Sequence, residues 1–153
     1  MNKNKRVRVR AIVFVEDKIM SMYRENNNRI YYTIPGGGLE NNETEQECVI
    51  RELREEFGVV IKPIKKVYRY ESTKSIEYFY LCDWVSGEFG TGTGEEFDKN
   101  NPHGVYKTVL ISIKDIPTLP LMPPEIATQL YADYKQNGKT LRNNIATFYT
   151  ENF

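Results

Sequence analysis

The segment Pro35–Val59, PGGGLENNETEQECVIRELREEFGV, combines a triple glycine with a high density of glutamates. Glu55 and Glu56 follow Glu52 by three and four residues near the end of a predicted helix, so the three side chains crowd one side of its last two turns. Like charges at this spacing repel, and the helix macrodipole disfavours anions at this end. A bound divalent cation would neutralise them, and oxygen-only ligands favour Mg²⁺ or Mn²⁺ over zinc.

The two arginines of this helix allow a simpler interpretation. Arg51 and Arg54 could neutralise the glutamates, which would then form an ordinary solvated face. The glycines Gly36, Gly37 and Gly38 favour the metal site, because a chain without Cβ atoms can turn sharply and bring its backbone close to a ligand. Acidic side chains beside such a turn indicate a site for a metal ion and a phosphate group.

The helix is predicted between Asn42 and Gly58. Asn42 is followed three residues later by Glu45, which resembles a capping box, and Gly58 is a typical stop after the last turn. One face of the helix is apolar and predicts contact with a core. This face consists of Cys48, Val49, Ile50, Leu53 and Phe57.

The rest of the chain predicts the strands and the second helix that would position this site. We predict strands at 7–15, 18–24, 29–35, 60–71, 75–85 and 105–113, and a helix at 124–136. Residues 86–104 are rich in Gly, Asn, Asp and Glu and predict a long exposed loop, and the tail 139–153 keeps apolar residues that could dock on the body or on a second subunit. We therefore expect a single domain over residues 1–153, with a core at about 7–136 and a C-terminal extension at 137–153.

Composition excludes several classes of protein. Lysine plus arginine and aspartate plus glutamate each number 21, so no global field attracts nucleic acid or a membrane, and stable nucleic-acid binding is not expected. No apolar run reaches the roughly 18 residues of a membrane-spanning helix, and the N-terminus lacks the apolar centre of a signal peptide. Two cysteines favour a reduced, cytoplasmic protein. The one histidine, His103, falls in a predicted surface loop, which disfavours a catalytic triad.

The glycines, acids and arginine together follow a known motif. From Gly37 to Val59 the sequence reads G-x5-E-x7-R-E-U-x-E-E-x-G-U, where U is apolar, and every position is filled. This pattern resembles the Nudix box, and the chain is identified as a MutT-like member of the Nudix hydrolase family. The resemblance implies an α/β (α+β) fold in which a mixed β-sheet is sandwiched between helices.

The resemblance also implies an activity and a set of residues. Nudix hydrolases cleave the pyrophosphate of a nucleoside diphosphate linked to another group, using Mg²⁺ or Mn²⁺ and water. Carried over to this sequence, the metal ligands would be the carbonyl of Gly37 and the carboxylates of Glu52, Glu55 and Glu56. The base that activates water would be Glu55 or an acid of a loop, and Arg51 would orient a box carboxylate rather than touch substrate.

Further site residues are expected outside the helix. Many family members add a carboxylate from a later loop, and Glu96 is favoured here over Glu95 and Asp98, although all three also fit an acidic solvated loop. Tyr32 could stack on a base and Arg24 could reach a phosphate, or these two could serve strand packing and surface charge. The backbone of Gly36 and Gly38 is expected beside the substrate.

Two classes of function remain open at this stage. The first is metal-dependent hydrolysis of a nucleoside triphosphate, nucleotide sugar or related small molecule, and the second is a non-catalytic Nudix fold that senses a nucleotide sugar. The intact motif favours the first. The subfamily motifs that specify a substrate are not found, and the apolar tail makes a homodimer reasonable.

Overall fold

The computed structural model describes residues 5–90 and 104–151, and these form a mixed α+β fold with nine strands and two α-helices. The strands are β1 (Arg6–Val15), β2 (Lys18–Asn26), β3 (Arg29–Thr33), β4 (Gly36–Gly38), β5 (Val59–Glu71), β6 (Ser75–Gly87), β7 (Val105–Ser112), β8 (Leu121–Met122) and β9 (Ala146–Tyr149). The helices are α1 (Glu45–Phe57) and α2 (Pro124–Asn137), and short 3₁₀ turns occupy Ile113–Thr118 and Gly138–Thr140.

Strand β1 is the centre of the sheet, whose main order is β8-β3-β2-β1-β6-β5-β9. Its first half pairs with β4 in antiparallel register, with Val9 opposite Gly37, while its other edge runs parallel to β6. Its last residues pair with β2, which in turn pairs with β7. On this edge, β1 therefore pairs with β4 along its first half and with β2 only at its last residues, so β4 lies where β1 and β2 separate.

The two helices pack on opposite sides of the sheet, as the sequence predicted. Helix α1 buries Val49, Leu53 and Phe57 against Val9 and Val13 of β1. The second core lies under α2. It contains Ile12, Ile19, Tyr68, Phe79, Ile126 and Leu130. The alternation of side chains along β1 explains this division, because successive residues of a strand point to opposite faces.

The start of α1 differs from the prediction. Its N-cap is Thr44, whose side chain accepts a hydrogen bond from the Glu47 backbone N–H (3.0 Å), while the Glu47 carboxylate accepts one from the Thr44 N–H (2.9 Å). This is a complete capping box, two residues after the predicted one. Asn42 instead has a φ of 64° in the preceding turn, a conformation that Asn tolerates. The predicted end is confirmed, since Gly58 adopts a φ of 74° and donates to the carbonyl of Arg54.

The C-terminal segment docks on the body of the same chain. Strand β9 adds to the edge of β5 in parallel register, and Leu141, which precedes it, is fully buried in the core under α2. Asp133 of α2 fastens this segment by accepting hydrogen bonds from the Tyr68 hydroxyl (2.6 Å) and from Arg142 (3.3 Å). Burial and the Asp133 carboxylate both raise the pKa of Tyr68. The buried core thus extends past residue 136.

Three strands were absent from the sequence-based prediction, and one prediction is not covered. Strand β4 consists of three glycines, so it has no side-chain pattern, β8 has only two residues, and β9 is short and half exposed. The predicted loop starts later than expected, because β6 continues to Gly87. Residues 91–103 of that loop lie outside the described residues. Within the described ranges, no helix is long and apolar enough to cross a bilayer.

Candidate active site

A cleft of about 430 Å³ opens where β1, β2 and β4 meet α1. It has an acidic side, a basic side and a floor of bare backbone. The acidic side is formed by Glu52 and Glu56 of α1. The basic side and the floor are formed by Arg8, Arg10, Met22, Arg24, Thr33, Pro35, Gly36, Gly37, Gly38 and Tyr106.

The floor of the cleft requires glycine. A Cβ atom on Gly36, whose φ is 148°, would lie 2.0 Å from the Val9 carbonyl oxygen, so no other residue fits this pairing with β1. A Cβ on Gly37 would lie 2.4 Å from the Glu52 carboxyl carbon and 2.5–2.6 Å from its two oxygens. The Glu52 carboxylate therefore rests directly on the Gly37 backbone.

Glu56 is the second acid of the cleft. Burial, and after it the neighbouring Glu52, raise its pKa to about 7 against the opposing effects of Arg10 and Arg24. One turn of helix separates the two glutamates, which places both on the same face of α1. Two carboxylates this close, in a partly dry site, form a strong centre for a positive charge.

Arg51 forms hydrogen bonds with three glutamates of the motif. Its guanidinium donates to Glu43 (2.7 and 3.1 Å), to Glu52 (2.9 Å), to Glu55 (3.1 Å) and to the Gly38 carbonyl oxygen (3.2 Å). The hydrogen bond to Glu43 is the largest cause of the raised pKa of Arg51 and of the lowered pKa of Glu43. Arg51 thus ties the loop before α1 to the acidic face of the helix.

The remaining predicted acids are placed differently. The side chain of Glu55 is 56% exposed, bonds to Arg51 and does not line the cleft. Glu95, Glu96 and Asp98 lie outside the described residues, as does His103. The structure therefore brings together Glu52, Glu56 and the glycines, and leaves Glu55 on the rim.

Three arginines face the acids across the cleft. Arg10 donates to Glu77 (2.9 Å) and to the Ile34 carbonyl oxygen (3.1 Å), so its charge is partly compensated. Burial and the neighbouring Arg10 and Arg6 lower the pKa of Arg8, which forms no ion pair within the described ranges. The Nε of Arg24 is buried without a hydrogen-bond partner, and its guanidinium lies 5.3 Å from the Tyr106 ring centroid. Arg8 and Arg24 thus have hydrogen-bonding capacity for an anion.

The aromatic side chain of the cleft is Tyr106 rather than Tyr32. Thr33 lines the cleft, and Tyr32, its neighbour in β3, points to the other face, where it packs on the core under α2 and on Tyr23. Tyr106, Arg8 and Arg10 were not predicted from the sequence as site residues. Because side chains alternate along a strand, Arg8 and Arg10 of β1 lie on the same face, and this alternation could have indicated them as a pair. The position of Tyr106 in the cleft depends instead on the pairing of β7 with β2.

The donor set of the cleft suits a hard divalent cation. It consists of the oxygens of Glu52, Glu56 and the Gly37 backbone, with no histidine or cysteine among the residues lining the cleft. The described part of the chain contains no group of three acidic, His or Cys side chains already arranged around one point. Two carboxylates and backbone oxygen therefore fit such an ion, with positions left for water or substrate.

Comparison with known proteins identifies the family. The model of the NUDIX domain matches residues 4–125. The chain belongs to the Nudix hydrolase family. This confirms the resemblance based on the motif Gly37–Val59, and Nudix hydrolases generally use divalent metal ions and act on small nucleotide-derived substrates.

Individual Nudix relatives give the extent of the similarity. An ADP-ribose pyrophosphatase of Methanocaldococcus jannaschii is 33% identical over 106 residues, which is 62% of this chain and 63% of the relative. An NAD-capped RNA hydrolase, NudC, of Photobacterium profundum is 34% identical over 79 residues, which is 48% of this chain and 28% of the relative. The chain thus aligns with less than two thirds of either relative.

A solved structure confirms the fold. The crystal structure of a NUDIX hydrolase from Nitrosomonas europaea superimposes with a TM-score of 0.73 over 97% of this chain and 80% of the other, at 17% identity. At that identity the similarity concerns the arrangement of sheet and helices. The predicted mixed sheet between helices is therefore correct.

Proposed function

We propose that this chain is a pyrophosphohydrolase that cleaves a nucleoside diphosphate linked to another group, with Mg²⁺ or Mn²⁺ as its cofactor. The observation that carries the proposal is the cleft in which Glu52 and Glu56 face Arg8 and Arg24 across bare glycine backbone. A metal-binding side opposite an anion-binding side is what hydrolysis of a pyrophosphate requires.

The metal side is assigned to Glu52, Glu56 and the backbone oxygen of Gly37. A bound divalent ion supplies charge neutralisation on the phosphoryl oxygens and lowers the pKa of water. Glu55 joins this set if its carboxylate leaves Arg51, and Glu96 is retained as the proposed ligand from the loop. Arg51 is a positioning residue, because it holds both Glu52 and the Gly38 carbonyl oxygen.

The proton of the attacking water requires a base. Glu55 is proposed for this role, with a loop acid as the alternative, because its exposed carboxylate lies on the rim of the acidic side and is held by a single guanidinium bond. Glu52 is assigned to the metal side rather than to this role, since it accepts a hydrogen bond from Arg51 and rests on Gly37.

The substrate side is assigned to Arg24 and Arg8 for phosphate oxygens and to Tyr106 for the face of a base or sugar. The buried Nε of Arg24 has no partner among the described residues, so an anion bound here would satisfy it. The backbone of Gly36 and Gly38 borders the same space. Tyr32 is left out of the proposal because it faces the core.

A substrate panel tests the proposal. It contains ADP-ribose and NAD-capped RNA, for which the two curated relatives are named, together with nucleoside triphosphates and other nucleotide sugars. We expect release of a nucleoside monophosphate or of phosphate with Mg²⁺ or Mn²⁺, and none with a chelator. Tight binding of one of these compounds without turnover would contradict the proposed hydrolysis and support the alternative, a non-catalytic sensor.

Two further properties stay predictions. Both cysteines are buried and free, which agrees with the proposed reduced, cytoplasmic location. A homodimer is also retained as a prediction, to be checked by the sedimentation of the purified protein.

A further inference from the structure

The face of the sheet that carries Thr33 and Arg24 continues beyond the cleft. Strand β2 pairs with β3 along one edge and with β7 along the other, and Arg24 is opposite both Tyr31 of β3 and Tyr106 of β7. Residues directly opposite each other in an antiparallel pair have their side chains on the same face. Tyr31, Arg24 and Tyr106 therefore form one row on the cleft side of the sheet, and Tyr31 lies just outside the lining of the cleft.

A further arginine lies one row beyond Tyr31. Arg29 precedes Tyr31 by two residues in β3, so its side chain is on the same face, about 7 Å further along the strand. The Arg29 guanidinium lies over the Tyr31 ring, 4.8 Å from its centroid, and this cation–π contact holds the side chain in place. A path of aromatic and cationic side chains thus leads from Thr33 in the cleft to Arg29.

The backbone at Arg29 is fixed by the hairpin between β2 and β3. Its loop has two residues, Asn27 and Asn28, and both have a positive φ (52° and 65°). This is the conformation of a type I′ turn, which matches the twist of the two strands and which asparagine tolerates. The turn sets Arg29 opposite Asn26. The position of Arg29 is therefore built into the fold and does not require a ligand.

The charge of Arg29 is not compensated by the fold. The side chain is exposed, and within residues 5–90 and 104–151 it forms no ion pair. Glu25, the carboxylate of the same hairpin, is opposite Ile30 and so lies on the other face, where it accepts a hydrogen bond from the Tyr23 hydroxyl (3.0 Å). Arg29 is thus available to an anion, and a guanidinium matches a phosphate because it can donate two parallel hydrogen bonds.

We propose that Arg29 is a second phosphate contact, so that the preferred substrate carries a phosphoryl group beyond the pyrophosphate held by Arg24 and Arg8. This inference rests on the proposed function, which places the pyrophosphate between the acids of α1 and these two arginines. A nucleoside triphosphate, or a nucleotide sugar with a further phosphate, supplies such a group, whereas a nucleoside diphosphate joined to an uncharged sugar does not. Tyr31 is a positioning residue, because it acts by holding Arg29.

Two nucleotide analogues that differ by one phosphate test this contact. Adenosine α,β-methylene diphosphate and the corresponding triphosphate resist cleavage between the α and β phosphorus atoms, because a methylene group replaces the bridging oxygen. Calorimetric titration of the full-length protein in Mg²⁺ measures the affinity for each analogue. In wild type, we expect the triphosphate analogue to bind at least about tenfold more tightly than the diphosphate analogue, and in Arg29→Gln this ratio should fall to about threefold or less. The matched control Arg54→Gln, at an exposed arginine of α1 outside the cleft lining, should keep the wild-type ratio.

A second pair of variants tests the role of the tyrosine. Tyr31→Leu removes the ring beneath Arg29 and should lower the ratio of the two affinities, whereas Tyr31→Phe keeps the ring and should restore the ratio. A wild-type ratio in Arg29→Gln, or equal affinities of the two analogues for wild type, would overturn the proposal.

The outcome can be separated from that of the hydrolysis experiment, because neither titration requires turnover. If no compound of the substrate panel is cleaved but the ratio depends on Arg29, the second phosphate contact stands and the proposed hydrolysis fails. If hydrolysis is observed but the ratio does not depend on Arg29, the proposed function stands and the second phosphate contact fails.

Discussion

At the scale of single residues, surroundings distinguish glutamates that look alike in the sequence. Glu52 and Glu56 share a face of α1 and line the cleft, while Glu55, between them in sequence, is exposed and bound to Arg51. Helical spacing alone grouped all three. The contact of Glu52 with Gly37 depends on the pairing of β4 with β1, which no local pattern reveals.

Gly37 tests this contact. We expect Gly37→Ala to keep the fold, because the new methyl group meets the mobile end of Glu52 rather than backbone, but to displace that carboxylate. Mn²⁺ affinity, measured by electron paramagnetic resonance, should fall about 10- to 100-fold. Gly38→Ala is the matched control, since a Cβ there meets nothing within 4 Å and should change the affinity little. Equal affinities in the two variants would contradict the account.

The raised pKa of Glu56 predicts a pH dependence of stability. The folded protein holds this proton up to a pKa of about 7, against 4.5 for an ordinary glutamate, so its contribution to stability is fully present below pH 4.5 and is lost as the pH rises through 7. Thermal unfolding of the metal-free protein should show wild type losing stability relative to Glu56→Gln over this window, by on the order of 2 kcal/mol. A constant difference between the two across the window would disprove the shift.

At the scale of elements, periodicity predicted most strands and both helices, and failed where side chains carry no pattern. The start of α1 was placed two residues early because Asn42 and Glu45 imitate the true box of Thr44 and Glu47. Only the backbone conformation of Asn42 separates the two. Strand β4, which consists of glycine, forms because it pairs with β1, and β9 forms because it pairs with the edge of β5. Both strands depend on contacts between residues distant in sequence, which a local pattern does not reveal.

The C-terminal segment contributes to stability through Leu141. This side chain is fully buried, so Leu141→Ala should lower the free energy of unfolding by about 2–4 kcal/mol. Ile145→Ala, in the same segment but at a side chain that is 50% exposed, should cost less than about 1 kcal/mol. Denaturant unfolding measures both values. Similar costs would mean that the segment does not belong to the cooperative core.

At the scale of the whole molecule, the chain carries no net charge, and its charges are nevertheless separated locally in the cleft. The composition predicted no global attraction for anions, so the attraction for a phosphate has to come from the arginines of this cleft. The motif predicted the family and the acidic side of one site. On the basic side, Arg24 was predicted as a phosphate contact, whereas Tyr106 was not, because its place in the cleft depends on the pairing of β7 with β2, which are distant in sequence.

The central claim is that Glu52 and Glu56 hold a metal ion needed for pyrophosphate hydrolysis. The most direct measurement compares the Mg²⁺-dependent kcat/KM of wild type, Glu52→Gln, Glu56→Gln and the control Glu125→Gln, a residue of α2 outside the cleft. With the best substrate of the panel, each cleft variant should lose at least about a hundredfold, and the control should match wild type. Full activity in either cleft variant, or wild-type activity that survives a chelator, would contradict the account.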